Sequence, residues 1–255
     1  MGHRMMDDIR WDAVASLYDA YVTVTFDVPF FLGEAKAAPG PVLELMAGTG
    51  RVSLPLVEAG VPLTCVDASR EMLSRLRGKL SERGLTATVV QADVRTLDLG
   101  QMFDLAILPF NSFSELAEPS DQELVLACVY RHLHTGAKFI CTLHNPIVRR
   151  KSVDGQPRLV GRYSLDEGTL LLWSTSRYSA DGGVVEGVQV YEEYDSDGVL
   201  RRQRMLDMRF ALIERQDFEQ RAIHAGFRVT ELYGDYDRSP FLPDTSPYMI
   251  WILQR

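Results

Sequence analysis

The 255-residue sequence contains no apolar run of the ~18 residues that a membrane-spanning helix needs. Its first residues, MGHRMMDD, hold no apolar core followed by a cleavage site, so no secretory signal is expected. Cysteine is scarce. Cys65, Cys128 and Cys141 lack metal-ligand spacing, and their odd number argues against a disulfide framework. Each sits in an apolar run, which reads as a buried thiol in a reducing, cytoplasmic setting. Basic charge is also short: 27 Lys and Arg face 35 Asp and Glu, for a formal net charge of -8. Proteins that bind nucleic acid usually present a basic face, because neutralising phosphates supplies most of their affinity. The two basic clusters here, Arg149-Arg150-Lys151 and Arg201-Arg202 with Arg204, are short and flanked by acidic residues, as solvated edges are. The expected partner is therefore a small molecule, with neither nucleic acid nor membrane involved.

What is present is an ordinary globular composition, 46% hydrophobic and 24% charged, in a chain long enough for one large domain or one domain carrying an insertion. Trp11, Val14, Leu17, Tyr18 and Tyr21 fall at helical spacing, predicting a short amphipathic helix over 11–21. After a Pro/Gly-rich link at 38–41, apolar runs at 42–45, 63–66, 88–91, 105–108 and 138–143 read as strands. Helical stretches at 51–59, 70–83 and 122–133 separate most of them. Strands alternating with helices specify a Rossmann-like, doubly wound sheet covered on both faces. The pattern changes after residue 150. Four strands at 159–165, 169–179, 184–194 and 199–211 are joined by the turn signals Asp166-Glu167-Gly168, Asp181-Gly182-Gly183 and Asp195-Ser196-Asp197-Gly198. A helix at 215–225 and strands at 228–233 and 248–253 then return to the core. The expected organisation is one domain of residues 1–150 and 212–255, interrupted at 151–211 by an antiparallel β insert that serves as an acceptor cover or a dimer contact.

The strongest chemical signal is VLELMAGTGR at 42–51, a strand entering a glycine turn and then a helix. Gly48 and Gly50 let the backbone turn tightly and let a ligand lie against it. The dinucleotide fingerprint is incomplete, since Ser53 stands where a third glycine belongs. Asp67 ends the second strand, where a carboxylate can accept both hydroxyls of a ribose, and Asp93 follows the third. Both lie at the carboxyl edge of the sheet, where open α/β folds bind ligands. An aspartate at a strand end also caps helices. The pair, with the glycine turn and Glu44, favours a nucleoside site.

These motifs resemble the class I S-adenosylmethionine-dependent methyltransferase family over about residues 11–150 and 212–255. The segment E-L-M-A-G-T-G is similar to the family's first motif, with Met46-Ala47 where a Gly-Cys or Gly-Gly pair is usual. The resemblance implies that Ala47, Gly48 and Gly50 flank the methionine part of S-adenosylmethionine and that Asp67 holds the ribose. It places Ala68 and Met72 near the adenine, Asp93 on the adenine amino group and Val94 against the ring. Pro109, Phe110 and Asn111, in LAILPFNSF, would lie beside the transferring methyl. Thr135-Gly136 resembles the turn before the family's fifth strand. Tyr18, in Tyr18-Asp19-Ala20-Tyr21, would fold over the cofactor.

Methyl transfer is an in-line displacement in which the cofactor carries the activation and the protein aligns the partners. A base is needed only when the acceptor must lose a proton before attack. His144 follows the fifth strand, the only one of the five histidines at the expected active edge. An ordinary pKa near ~6.5 would let it act as a base. His132 and His134 sit at a helix end, His224 in a late helix and His3 in the N-terminal tail. Asn111 offers both a donor and an acceptor for orienting a heteroatom. Tyr178 and Tyr191 in the insert, with Tyr233 and Tyr236 in LYGDYDRSPF, are the expected acceptor walls. The expected activity is methylation of a nitrogen or oxygen on a small molecule, of the secondary-metabolite kind, with S-adenosylhomocysteine as the second product. The alternatives are a nicotinamide-dependent oxidoreductase and a non-catalytic cofactor-binding protein.

Overall fold

Short apolar runs that stop at glycine or aspartate become the strands of a central sheet in the computed structural model, which describes residues 9–179 and 183–255. The readings made on MGHRMMDD, on His3 and on Asp181-Gly182 lie outside the described residues. In chain order the core elements are α1 (Ala15–Tyr21), α2 (Val28–Ala37), β1 (Val42–Leu45), α3 (Ser53–Glu58), β2 (Leu63–Asp67) and α4 (Arg70–Glu82). They continue as β3 (Thr88–Gln91), β4 (Phe103–Leu108), α5 (Pro119–His132), β5 (Leu133–His144) and α6 (Pro146–Arg150). Four strands follow: β6 (Arg158–Leu165), β7 (Gly168–Tyr178), β8 (Val184–Tyr194) and β9 (Leu200–Ala211). The chain closes with α7 (Arg215–His224), β10 (Arg228–Tyr233) and β11 (Tyr248–Gln254).

The central sheet has the order β10-β11-β5-β4-β1-β2-β3. The pairs among β1 to β5 are parallel, while β11 runs antiparallel to both β5 and β10. Strand order reverses between β1 and β4, and that switch point is where an open α/β sheet leaves a crevice for a ligand. Both faces are covered, so β1 is buried along its whole length. Leu43, Ala106, Phe139 and Trp251 pack against α5 and α7 on one face; Val42, Leu105 and Ile140 pack against α2, α3 and α4 on the other. No helix among the described residues is long and apolar enough to cross a membrane.

Strands β6 to β9 form a second, wholly antiparallel sheet in chain order. Its inner face, with Leu170, Leu172, Tyr191 and Leu206, is closed by Val14 and Leu17 at the start of the chain. Helix α1 thus lies between this sheet and α4, and it carries residues over the carboxyl edge of the central sheet.

Three local readings need correction. Helix α2 went unseen because Pro29, Gly33 and the Phe30-Phe31 pair blur any apolar stripe. Pro146 starts α6, a short helix the sequence reading did not predict, where its missing N–H costs nothing and the Asn145 side chain accepts from the Ile147 N–H at 3.1 Å. Thr135-Gly136 lies inside β5, where Gly136 at φ 86° accompanies a jump in pairing with β4 from Leu133 to Lys138.

Candidate active site

The glycine turn follows β1 directly and takes three left-handed residues: Met46 at φ 54°, Gly48 at 57° and Gly50 at 88°. At Gly50 the positive φ already disfavours any other residue, and a Cβ there would come within 2.3 Å of the tip of the Leu76 side chain on α4. Gly48 is different. Nothing lies within 4 Å of where its Cβ would be, and it borders a large cavity, so a ligand can reach the bare backbone there. Met46, standing where a glycine is usual, holds a conformation that costs a bulky residue about 1–3 kcal/mol. It too borders the cavity.

Asp67 sits beside this turn at the end of β2. One carboxylate oxygen accepts from the Gly48 N–H at 2.8 Å and the other from the Ser69 N–H at 2.8 Å. Burial pushes its carboxyl above the usual range, and those backbone donors pull it back. Ala68 and Met72 continue the same wall. Across from it, Asp93 and Val94 border the cavity, with Asp93 held by Arg95 at 2.6 Å and its carboxyl kept low by that guanidinium. Arg95 reaches Asp121 as well, at 2.9 Å.

Several groups behind the turn support it without lining the cavity. Glu44 is fully buried and accepts from the Ser53 hydroxyl at 2.6 Å; burial pushes its carboxyl up to about 8. Ala47 and Gly50 are buried in the turn itself, and Pro109 precedes the residues of its own loop that do reach the cavity. Glu44, Ala47, Gly50 and Pro109, expected as cofactor contacts, do not themselves line the cavity, where the turn presents Gly48 and Met46.

The N-terminal segment closes the end of the cavity beside Asp67. The Thr49 hydroxyl donates to Asp19 at 2.6 Å, and Lys79 reaches the same carboxylate at 3.0 Å, which fastens α1 to the glycine turn. Tyr18 then points inward, packed edge-on against Trp11 at 5.6 Å; burial and the nearby Glu115 push its hydroxyl well above the ordinary range. Trp11 donates its indole N–H to Glu115 at 2.8 Å, and Asp12 accepts from the Ser69 hydroxyl at 2.5 Å. Arg51, next after Gly50, makes a two-pronged pair with the fully buried Asp27 at 2.5 and 2.7 Å and lies 4.4 Å over the Phe110 ring.

The other end of the cavity starts at the loop after β4. Phe110 and Asn111 are consecutive left-handed residues, at φ 61° and 62°. The Asn111 N–H donates to the Thr142 hydroxyl at 3.1 Å, while its side-chain Oδ1 is buried without a hydrogen-bond partner. A buried carbonyl oxygen left unpaired costs about 1–3 kcal/mol, so this atom asks for a donor. His144 ends β5, opposite Tyr248 in register and stacked on it at 6.2 Å. Its ring is open to the cavity, yet the dense walls around it and the neighbouring Arg149 push its pKa down to about 4. Tyr236, Tyr248 and Phe26 form an aromatic cluster with centroids 5.2–6.1 Å apart. Val185, Gln189, Met208 and Phe210 of the antiparallel sheet complete the enclosure. The cavity holds about 940 Å³, near the top of the range of about 300–1,000 Å³ usual for ligand pockets.

Of the expected acceptor walls, Phe110 and Tyr236 reach the cavity and three tyrosines do not. Tyr178 turns its hydroxyl to the Arg150 carbonyl at 2.7 Å. Tyr191 shares a sheet face with Val185 and Gln189 but lies further along β8, where α1 buries it completely and its hydroxyl meets that of Tyr21 at 3.0 Å. Tyr233 packs against Phe30 and Arg238 on the far side of its strand. Sequence reasoning missed Trp11, Asp12, Phe26, Arg95, Arg149, Gln189 and Tyr248. Two of them carried a signal: Trp11, on the apolar stripe shared with Tyr18, and Tyr248, as the first residue of the strand expected to return to the core.

Comparison with known proteins gives one answer. Residues 42–136, from β1 to the kink in β5, match a methyltransferase domain family. The chain is 31% identical over 239 residues to a glycine/sarcosine N-methyltransferase of Halorhodospira halochloris, covering 89% of this chain and 79% of that protein. Among solved structures, the CcbJ methyltransferase of Streptomyces caelestis is similar with a TM-score of 0.83 and 23% identity, over 97% of this chain and 98% of that one. The sugar N-methyltransferase KedS8 of a Streptoalloteichus species is similar with a TM-score of 0.75 and 20% identity, over 94% and 92%.

Proposed function

Because the chain belongs to the class I S-adenosylmethionine-dependent methyltransferase family, we propose that it methylates an amine nitrogen of a small molecule held at the aromatic end of its cavity. The residues present fit the cofactor: an open glycine turn, a strand-end carboxylate and an apolar slot between Met72 and Val94 share one wall. Asp67 would hold the ribose, Ala68, Met72, Asp93 and Val94 the adenine, and the turn at Gly48 the methionine part, with Tyr18 as cover. When bound, S-adenosylmethionine supplies a methyl group already activated on a sulfonium cation. The nicotinamide reading falls with the family. Ser53, in place of the third glycine, gives its hydroxyl to Glu44.

The observation that carries the amine is that Asn111 borders the cavity with its side-chain Oδ1 unpaired, an acceptor that a turn of the side chain would present to the substrate. It can only accept, so it favours a substrate atom that keeps an N–H while offering its lone pair elsewhere. The groups around it do not suit a phenol, which must surrender its proton before attack. His144, with its pKa at about 4, is a poor base, and burial holds the Tyr18 and Tyr236 hydroxyls in their protonated form. A neutral amine needs no base to attack, and burial beside a cation favours its neutral form. The similar proteins named as a glycine/sarcosine N-methyltransferase and a sugar N-methyltransferase methylate nitrogen by name, which agrees.

We read residues 151–211 as an insert that covers the acceptor. Any homodimer contact belongs on its outer face, where Leu159, Trp173 and Met205 are exposed. Three free, buried cysteines suit a reducing cytoplasm.

The test supplies S-adenosylmethionine with an isotope-labelled methyl to matched amine and hydroxyl compounds, and locates the label by mass spectrometry. Label on nitrogen is expected. Asn111→Gly, which keeps the left-handed backbone, should lower kcat about tenfold, the loss of one hydrogen bond made in the transition state. Label on oxygen would overturn the reading.

A further inference from the structure

Arg149 differs from the other arginines set into the protein around the site. Arg51 is paired with Asp27 and Arg95 with Asp93 and Asp121, and even the exposed Arg150 and Arg238 nearby have acidic partners, Glu214 and Glu34. Arg149 is half-buried and borders the cavity, yet among the described residues it has no carboxylate partner. Its guanidinium donates to the Ser152 hydroxyl at 3.2 Å. The chain has no shortage of acid, with 35 Asp and Glu against 27 Lys and Arg. Taking a cation partly out of water without a counter-charge is costly, and burial indeed works against its charge.

We propose that Arg149 receives an oxyanion of the acceptor, so that the substrate is an amine carrying a carboxylate or phosphate group. This rests on the reading that the aromatic end holds the acceptor. Arg149 lies in α6, just beyond His144, on the same cavity as Asn111. A substrate would meet Asn111 with its nitrogen, the rings of Tyr236, Tyr248 and Phe26 with its apolar part, and the arginine fork with its anion. The fork of a guanidinium matches both planar carboxylate and phosphate oxygens, which lysine does not. The acids that border the cavity, Asp12, Asp67, Asp93 and Glu115, stand at the nucleoside end, where Arg95 is committed to Asp93 and Asp121, and Arg149 has the acceptor end. Arg10 also borders the cavity but is exposed, beside Trp11 and Asp12.

The test titrates benzoate, phenyl phosphate and the neutral benzamide into the protein, with and without S-adenosylhomocysteine, by calorimetry. At least one anion should bind about tenfold or more tightly than benzamide, the usual size of a charge-assisted pair. The tighter of the two anions identifies the group. Arg149→Met should abolish the preference, Arg149→Lys should keep part of it, and Arg10→Gln should leave it unchanged. Equal binding of all three compounds, no binding of any, or a preference that survives Arg149→Met would overturn the proposal. Label found on oxygen in the methyl-transfer experiment would overturn the amine and leave this anion preference standing.

Discussion

At the proposed nucleoside end of the cavity, the groups beneath the N-terminal cover sit at or just past strand ends: Gly48 after β1, Asp67 closing β2, Asp93 after β3. At the proposed acceptor end, Phe26, Asn111, His144, Arg149, Gln189, Tyr236 and Tyr248 arrive from six separate stretches of chain. The first end is built from backbone turns that a parallel sheet presents wherever its strands stop. The second is built from side chains that meet only because the antiparallel sheet, the stretch just before α2 and the loop after β10 fold over the same edge. A binding end of the first kind suits one invariant ligand. The second kind changes its ligand when any one segment changes.

The largest effect should come from the pair that joins the two ends. Asp27 belongs to the acceptor-side segment and Arg51 to the glycine turn. Asp27→Ala leaves Arg51 sunk in the protein without its partner and should cost about 3–5 kcal/mol of stability. Urea or thermal unfolding measures this, and Asp27→Asn with Arg51→Met should recover part of the loss. A cost below about 1 kcal/mol, the scale of a surface pair, would mean that the two ends are held independently.

The smallest effect should come from His144. Its pKa is lowered, so it is neutral above about pH 4 and does not change charge between pH 6 and 9. Replacing it with Phe, which keeps a flat ring on Tyr248, should raise the acceptor KM a few-fold and leave the pH–rate profile in that range unchanged. Disappearance of a profile limb near the ordinary histidine pKa of about 6.5 would show a base at work, and would blur the contrast between a positioning end and a chemical one.

Much of the fold could be read in advance because its signals are local. Strand β3 falls at residues 88–91 as its apolar run indicated, and Ser69 caps α4 by accepting from the Met72 N–H at 3.1 Å. The same holds for Gly48 and Asp67, which are close in sequence to the strands that position them. Elsewhere the signal was not local. Tyr191 alternates correctly along β8, but nothing within the strand says that α1 will cover it. The environment of His144 depends on Arg149 and Tyr248, neither of which the spacing connected to it. Arg149 itself read as a solvated charge run, and only its place on the cavity, without an acidic partner, distinguishes it from Arg150 beside it.

The account rests on the nucleoside end holding S-adenosylmethionine through Asp67. The most direct measurement is calorimetric binding of S-adenosylhomocysteine to the native protein and to Asp67→Ala, with melting curves to confirm that the variant is folded. The native protein should bind, and the variant should lose about 1.5–3 kcal/mol, the size of a hydrogen bond to a charged group. Unchanged affinity in the folded variant, or no binding to the native protein, would contradict the account.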